Sequence, residues 1–294
     1  MELTSTEINK LIQKSGYPFE LRVVQKFFEN GFDVKPSYRF FDESREKDVE
    51  LDLIAIRNGY LETKSGKKVY AMLQIGVECK DNSMPYVMFG TKANRQTEYG
   101  FVDSDSFYCQ ISTSRDRGMQ NRFVYPIFNS EYTKIEVKDI HHQFKEDCRF
   151  YSVAHVEKKG KDNNPYFKLH QSDSLSYATS KLGAFIGQAN NFMTDKNVKS
   201  FGQCIEEMQK APVITIVFSM LAHTQSHFRF CTGNEFPTEH KITSVFMNRA
   251  YEGKPLSYII DFVSESALDD AIRNVEVSFK RMIEQIIPWI YAER

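Results

Sequence analysis

From Glu46 to Ile56 the chain reads Glu-Lys-Asp-Val-Glu-Leu-Asp-Leu-Ile-Ala-Ile. Alternation along an extended strand sets Asp48, Glu50 and Asp52 on one face and Val49, Leu51 and Leu53 on the other. From Leu53 the run is apolar on both faces, so Asp52 stands where a solvated strand enters a core. An unpaired carboxylate is costly there, and a cation is the natural partner. A second run, Leu73-Gln-Ile-Gly-Val-Glu-Cys-Lys80, ends with Glu78 and Lys80 on one side and Cys79 on the other. If the two runs form a hairpin turning near Ser65, Asp52 and Glu78 lie equally far from the turn and face each other. Two opposed carboxylates repel unless a metal sits between them.

Oxygen ligands of this kind suit Mg²⁺, or Mn²⁺ in its place, held by one or two carboxylates, several waters and a substrate phosphate. Such an ion supplies an activated water and stabilises charge on phosphorus oxygens, while an ammonium two residues away positions the water or neutralises the phosphate. Lys80 is spaced for that task. Glu20 is a further element, because Val23, Val24 and Phe27 follow it at three, four and seven positions and place its carboxylate on the apolar stripe of a helix. It faces the sheet, where it would meet the metal's water shell or Lys80.

The elements that must position these groups are legible around them. Pro18 opens a helix through Phe28 that Asn30-Gly31 stops. Three strands are predicted next, Phe32 to Phe41, Val49 to Arg57 and Val69 to Lys80, with turn signals at Asn58-Gly59 and Ser65-Gly66. Residues 84 to 172 read as an elaboration of the same domain, with short aromatic-rich pieces at Ser106 to Ser112 and Arg149 to Val156 between polar stretches. A helix from Leu175 to Met193 carries Ala178, Gly183, Ala184, Gly187 and Ala189, small enough for close packing on a sheet. Pro212 to Leu221 is too rich in β-branched residues to favour a helix and reads as a buried strand. Strands over Lys241 to Asn248 and Leu256 to Val263 lead into an amphipathic helix from Glu265 to Ile287. The pattern predicts an α/β fold, a central mixed β-sheet flanked by helices, as one domain over 1–294 with no linker or repeat.

With 294 residues, 41% of them hydrophobic and 26% charged, the chain has the balance of a globular protein with a sizeable core. No apolar run is long enough to cross a bilayer and the N-terminus lacks a signal peptide's pattern, which predicts a cytoplasmic protein with no membrane partner. The five cysteines, 79, 109, 148, 204 and 231, are odd in number and form no CxxC pair, so reduced thiols are expected. A formal net charge of -1 gives no global attraction to nucleic acid, and any surface binding it must be locally basic. There is no phosphate-binding Gly-x4-Gly-Lys loop, nucleophile elbow or dinucleotide fingerprint.

An acid on one strand followed by acid-x-lysine on the next resembles the PD-(D/E)XK nuclease superfamily. Asp52 matches the first acid, Glu78-Cys79-Lys80 the second acid and lysine, and Glu20 resembles the helix glutamate of many members. Leu51 stands where a proline commonly precedes the first acid. The match is specific over 18–82, with an inserted segment at about 84–172 and the remaining core over 175–294. It implies a restriction endonuclease-like core and catalytic roles for Glu20, Asp52, Glu78 and Lys80. It further implies metal ligation by Asp52, Glu78 and the Cys79 main-chain carbonyl, with Mg²⁺ as cofactor, nucleic acid, foremost DNA, as partner, and a homodimer. The alternative on the same fold is a nucleic-acid-binding or scaffolding protein that does not cut.

Other residues have a milder reading. His223 and His227 are four apart, as metal ligands on a helix would be, but follow a predicted strand and lack an intervening glutamate. His141 and His142 read as a surface pair. Lys181 and Gln188 lie on the helix expected to border the acidic face, where packing or solvation accounts for them. Arg115, Arg117 and Arg122 read as a solvated loop able to reach a phosphate.

Overall fold

The computed structural model describes residues 3–42, 45–62, 66, 68–92, 108–112, 123–124, 148–160, 166–170, 173–188, 213–232, 236–251 and 254–292. His141, His142, Arg115, Arg117, Arg122 and the predicted helical residues 189–193 lie outside them, as does the side chain of Gln188.

The chain opens with helices α1 (Ser5–Lys14) and α2 (Tyr17–Glu29). Pro18 lies in the first turn of α2, which buries Phe19, Val23 and Phe27. Gly31 follows its end at φ 78°, a left-handed conformation that a side chain resists, and a Cβ there would come within 2.8 Å of Arg57. A meander follows, β1 (Asp33–Asp42), β2 (Lys47–Glu62) and β3 (Lys68–Lys80). The described parts of 84–172 contribute β4 (Tyr86–Lys92), β5 (Tyr108–Ser112), β6 (Phe123–Val124), β7 (Cys148–Lys159) and β8 (Tyr166–His170) to the same sheet. Next come α3 (Asp173–Gln188), β9 (Val213–His223), β10 (His227–Cys231), β11 (Thr238–His240), β12 (Ile242–Tyr251) and β13 (Lys254–Ser264). A 3-10 turn at Glu265–Ala267 leads into α4 (Leu268–Ala292).

The main path of the sheet runs β1-β2-β3-β9-β13-β12-β7-β4-β10-β11, with β5 and β6 joined to β9 and β8 to β7. Strand β9 is parallel to β3 and β13, and most other pairs are antiparallel, so the sheet is mixed. Two apolar layers enclose it. On one face Phe19, Val23 and Phe27 of α2 and Ile272, Val275 and Phe279 of α4 pack on Leu73, Ile75 and Val77 of β3. On the other, Leu175, Ala178, Leu182 and Phe185 of α3 pack on Tyr70, Met72, Val217 and Leu221. Of the small residues expected to let this helix pack closely, Gly183 faces the Tyr258 ring, which a Cβ there would approach to 2.5 Å, and Ala189 lies outside the described residues. A Cβ on Gly76 of β3 would fall 2.5 Å from the Phe185 ring, so glycine is what lets α3 come down on the sheet. No helix among the described residues is long and apolar enough to cross a membrane.

Several expectations are corrected. Asn58 and Gly59 do not turn the chain; they pair with Met72 and Ala71 in a ladder that continues to Glu62↔Lys68. Leu51 and Leu53 do not share a face: Leu51 belongs to the α3 layer and Leu53 to the α2 and α4 layer, so the alternation breaks at Asp52. Across from it the β1 ladder passes from Pro36↔Leu53 to Tyr38↔Leu51, skipping Ser37, whose φ of 50° is left-handed. Cys148 and Cys231 form a disulfide with Cα atoms 6.4 Å apart, against the expectation of reduced thiols. They belong to β7 and β10, which both pair with β4, a juxtaposition set by strand order. Cys79 is a buried free thiol.

Candidate active site

Strand β3 is buried along almost its whole length and ends in a change of chemistry. Val77 and Cys79 point into the α2 and α4 layer, while Glu78 and Lys80 occupy the α3 side. Glu78 is completely enclosed and the Lys80 side chain keeps 24% of its surface exposed. The β2–β3 ladder runs to Leu53↔Val77, so the next step sets Asp52 opposite Glu78. There the carboxylate takes over from the backbone, and Asp52 Oδ2 accepts a hydrogen bond from the Cys79 N–H at 2.6 Å. A main-chain donor that the ladder would leave orphaned is thereby satisfied by a charge, a strong form of hydrogen bond.

Glu78 lies between two ammonium groups. Lys80 Nζ is 3.6 Å from Oε2, and Lys181 Nζ forms a close ion pair with Oε1. Lys181 is buried on α3 and also donates to the Glu50 carbonyl oxygen at 2.8 Å, with Tyr177 beneath it at 5.4 Å. Burial, and then the negative charge of Asp52, push the Glu78 carboxyl up to about 7, with Lys181 and Lys80 pulling the other way. At neutral pH it is therefore poised between its two forms.

Glu20, in the first turn of α2, is half-buried. Burial and then Asp52 raise its carboxyl, while Lys80 and Lys181 oppose the rise, so it belongs to the same electrostatic cluster. The structure thus brings together all the sequence-predicted residues: Glu20, Asp52, Glu78 and Lys80, with Cys79 through its main chain. The Cys79 side chain faces away, and burial raises its thiol well above the usual range. Asp48 and Glu50 are exposed, and Glu50 pairs with Arg39 at 2.7 Å.

Lys181 was given a packing or solvated role, yet it is the closest cation to Glu78. The signal for it was present. Leu175, Ala178, Leu182 and Phe185 form the inward stripe of α3, and Lys181 follows Ala178 by three positions and precedes Phe185 by four. A cation on an apolar stripe asks for a buried acid, as Glu20 on α2 asked for a cation.

His223 is the last residue of β9 and the neighbour of Lys80 in the β3–β9 register, and His227 begins β10, so no helix carries the pair. Both are fully buried with ring centroids 5.3 Å apart. Tyr86 packs edge-on against His223 at 5.2 Å, and His227 Nε2 meets Thr243 Oγ1 at 2.6 Å. Burial lowers His223 to about 4 and His227 to about 3, so both are neutral near pH 7. Asn82 pins the chain as it leaves Lys80: its N–H donates to Thr224 Oγ1 at 3.2 Å, and that hydroxyl donates back to its carbonyl oxygen at 2.8 Å.

Among the described residues no three His, Cys, Asp or Glu side chains converge as a complete metal cage. The donors that do meet are two carboxylates and a main-chain segment, a sparse oxygen set of the kind that suits Mg²⁺ with water and phosphate filling the rest of its shell. No family model, curated protein or solved structure matches the chain.

Proposed function

We propose that the chain is a Mg²⁺-dependent nuclease that hydrolyses phosphodiester bonds of nucleic acid, DNA foremost, on a core of the restriction-endonuclease type. The observation that carries the reading is the meeting of Asp52 and Glu78 at the ends of two adjacent strands, with Lys80 and Lys181 on either side of the Glu78 carboxylate. The order α2-β1-β2-β3-α3-β9, with β9 parallel to β3, supports the core assignment.

An ion at this point would be held by the Asp52 and Glu78 carboxylates and the Cys79 carbonyl, and would supply the activated water and the charge stabilisation that hydrolysis needs. Asp52 is held in place by the Cys79 N–H and presents its other oxygen. Glu78 gives up its proton near neutrality as a cation approaches. Lys181, anchored to the Glu50 carbonyl, fixes the orientation of Glu78 from behind. Lys80 reaches solvent and can meet a phosphate oxygen or orient the attacking water. Glu20 balances the positive charge of the two lysines from the α2 side.

The test is plasmid cleavage with and without Mg²⁺, comparing wild type with Glu78→Ala and Lys80→Ala. Wild type is expected to cut only with metal and each variant to lose at least about a hundredfold in rate. Identical behaviour of all three would overturn the reading in favour of a non-cleaving binding protein or scaffold.

A further inference from the structure

Strands β7 and β8 form a two-stranded antiparallel ribbon, registered from His155↔His170 to Lys159↔Tyr166, whose outer strand pairs with no other strand among the described residues. Every residue of β8 is exposed, including Tyr166 at 51%, Phe167 at 59% and Leu169 at 55%. An isolated ribbon gains little stability from such side chains, and large apolar groups left in water at this density mark a contact surface. Register puts Tyr166 and Lys168 on one face with Glu157 and Lys159, and Phe167 and Leu169 on the other with Val156 and Lys158. Lys168 Nζ lies 5.5 Å over the Tyr166 ring. The described ribbon residues 155–160 and 166–170 carry three lysines against one glutamate, which Lys159 already engages at 2.5 Å. In a chain of net charge -1 this is the local positive excess that a nucleic-acid surface requires.

The ribbon is rooted beside the acidic cluster. His155, at its base, lies 5.7 Å from the Tyr86 ring, which touches His223, the register neighbour of Lys80. The base of the ribbon is thus linked, through the buried rings of Tyr86 and His223, to the strand end that carries Lys80.

We propose that the β7–β8 ribbon binds unpaired bases of a nucleic-acid strand on its Tyr166 face, Tyr166 stacking on a base while Lys168 and Lys159, on the same face, meet the backbone. Exposed aromatics interleaved with cations are the recognition chemistry of single strands, because every base offers a π-face. The proposal rests on the nuclease reading for the identity of the substrate and deepens it by assigning where that substrate lies.

The full chain in EDTA is titrated against a dye-labelled single-stranded oligonucleotide and the blunt duplex of the same sequence, with fluorescence anisotropy as readout. Tyr166→Ala is expected to weaken single-strand binding about tenfold with duplex binding little changed, while Phe167→Ala, on the opposite face, should stay within about twofold of wild type. Tyr166→Phe, which keeps the ring, should stay within about twofold of wild type, and Lys168→Gln should reduce the slope of log affinity against log salt by about one. Because these side chains are exposed, the melting temperature is expected to stay put in all four. Unchanged binding in Tyr166→Ala overturns the proposal, as does an equal loss on the duplex. So does a Tyr166→Ala protein that binds as wild type but loses self-association in light scattering, since the ribbon edge would then serve a second copy. Ribbon-dependent binding without Mg²⁺-dependent cleavage would sink the nuclease reading alone. Mg²⁺-dependent cleavage of the single-stranded oligonucleotide that Tyr166→Ala leaves untouched would sink this one alone.

Discussion

Glu78 and His223 lie near the ends of neighbouring parallel strands, two residues apart in register, and both are fully enclosed. Burial disfavours the charged form of each, pushing the acid up to about 7 and the imidazole down to about 4. What surrounds them differs. Asp52, Lys80 and Lys181 set Glu78 in a field of charges and leave it titrating at working pH. Tyr86 and His227 surround His223 with rings and leave it neutral there. One region is poised to exchange a proton for a cation; its neighbour, equally buried and equally polar, is poised for nothing near pH 7. Burial alone does not make a site, and the countercharges decide.

The sharpest way to break this contrast is to remove a countercharge. Replacing Lys181 with Met takes away the closest cation to Glu78 while roughly keeping its volume. Cleavage at pH 7 is expected to fall about a hundredfold, comparable to losing one preorganised electrostatic group. Glu78 should then hold its proton more tightly, so the midpoint of the pH–rate profile moves upward, and Lys181→Arg should restore part of the rate. A rate loss with the midpoint unmoved would mean that Lys181 serves packing only.

The next effect is smaller and needs no substitution. Below a pKa of about 7 the proton competes with the metal for Glu78, so the Mg²⁺ concentration for half-maximal cleavage should fall about tenfold between pH 6 and pH 8. The sign for stability runs the same way. The folded-state pKa lies above the ordinary 4.5, so stability from this group is fully present below pH 4.5 and is lost as pH rises through about 7. Mg²⁺ should therefore raise the melting temperature at pH 8 and do little at pH 5. A metal requirement that ignores pH across this range would remove Glu78 as a ligand.

How far the site could be read in the chain follows from which interactions are local. Period-two alternation brought Glu78 and Lys80 to one face, and the hairpin expected near Ser65 set Asp52 against Glu78 without any knowledge of the wider sheet. The helical stripe turned Glu20 inward. The helices on both faces of a mixed sheet were legible for the same reason. The break at Asp52 was not, because it lies across from a left-handed Ser37 that the β1–β2 ladder skips, and nothing about Ser37 marks it as special in isolation. The Cys148–Cys231 bond depends on β7 and β10 both pairing with β4, and strand order is a global property. Lys181 falls between these cases: its inward position was readable from α3, its partner was not.

The smallest expected effect sharpens the comparison from the other side. If His223 is a neutral filler among rings, His223→Phe should leave cleavage at pH 8 within about twofold of wild type, since the change touches neither the carboxylates nor the lysines. Its mark should appear in acid instead. With its folded-state pKa at about 4 against an ordinary 6.5, His223 contributes stability that is present above pH 6.5 and drains as pH falls toward 4. That gap corresponds to about 3 kcal/mol, and His227, lowered to about 3 by burial and then by the charge of His223, adds a loss of the same sign. The variant should therefore lose less melting temperature than wild type between pH 7 and pH 4.5. Should cleavage instead collapse in a His223→Phe protein that melts normally at pH 8, the imidazole takes part in the chemistry, and the line between the charged cluster and its neutral neighbour is drawn in the wrong place.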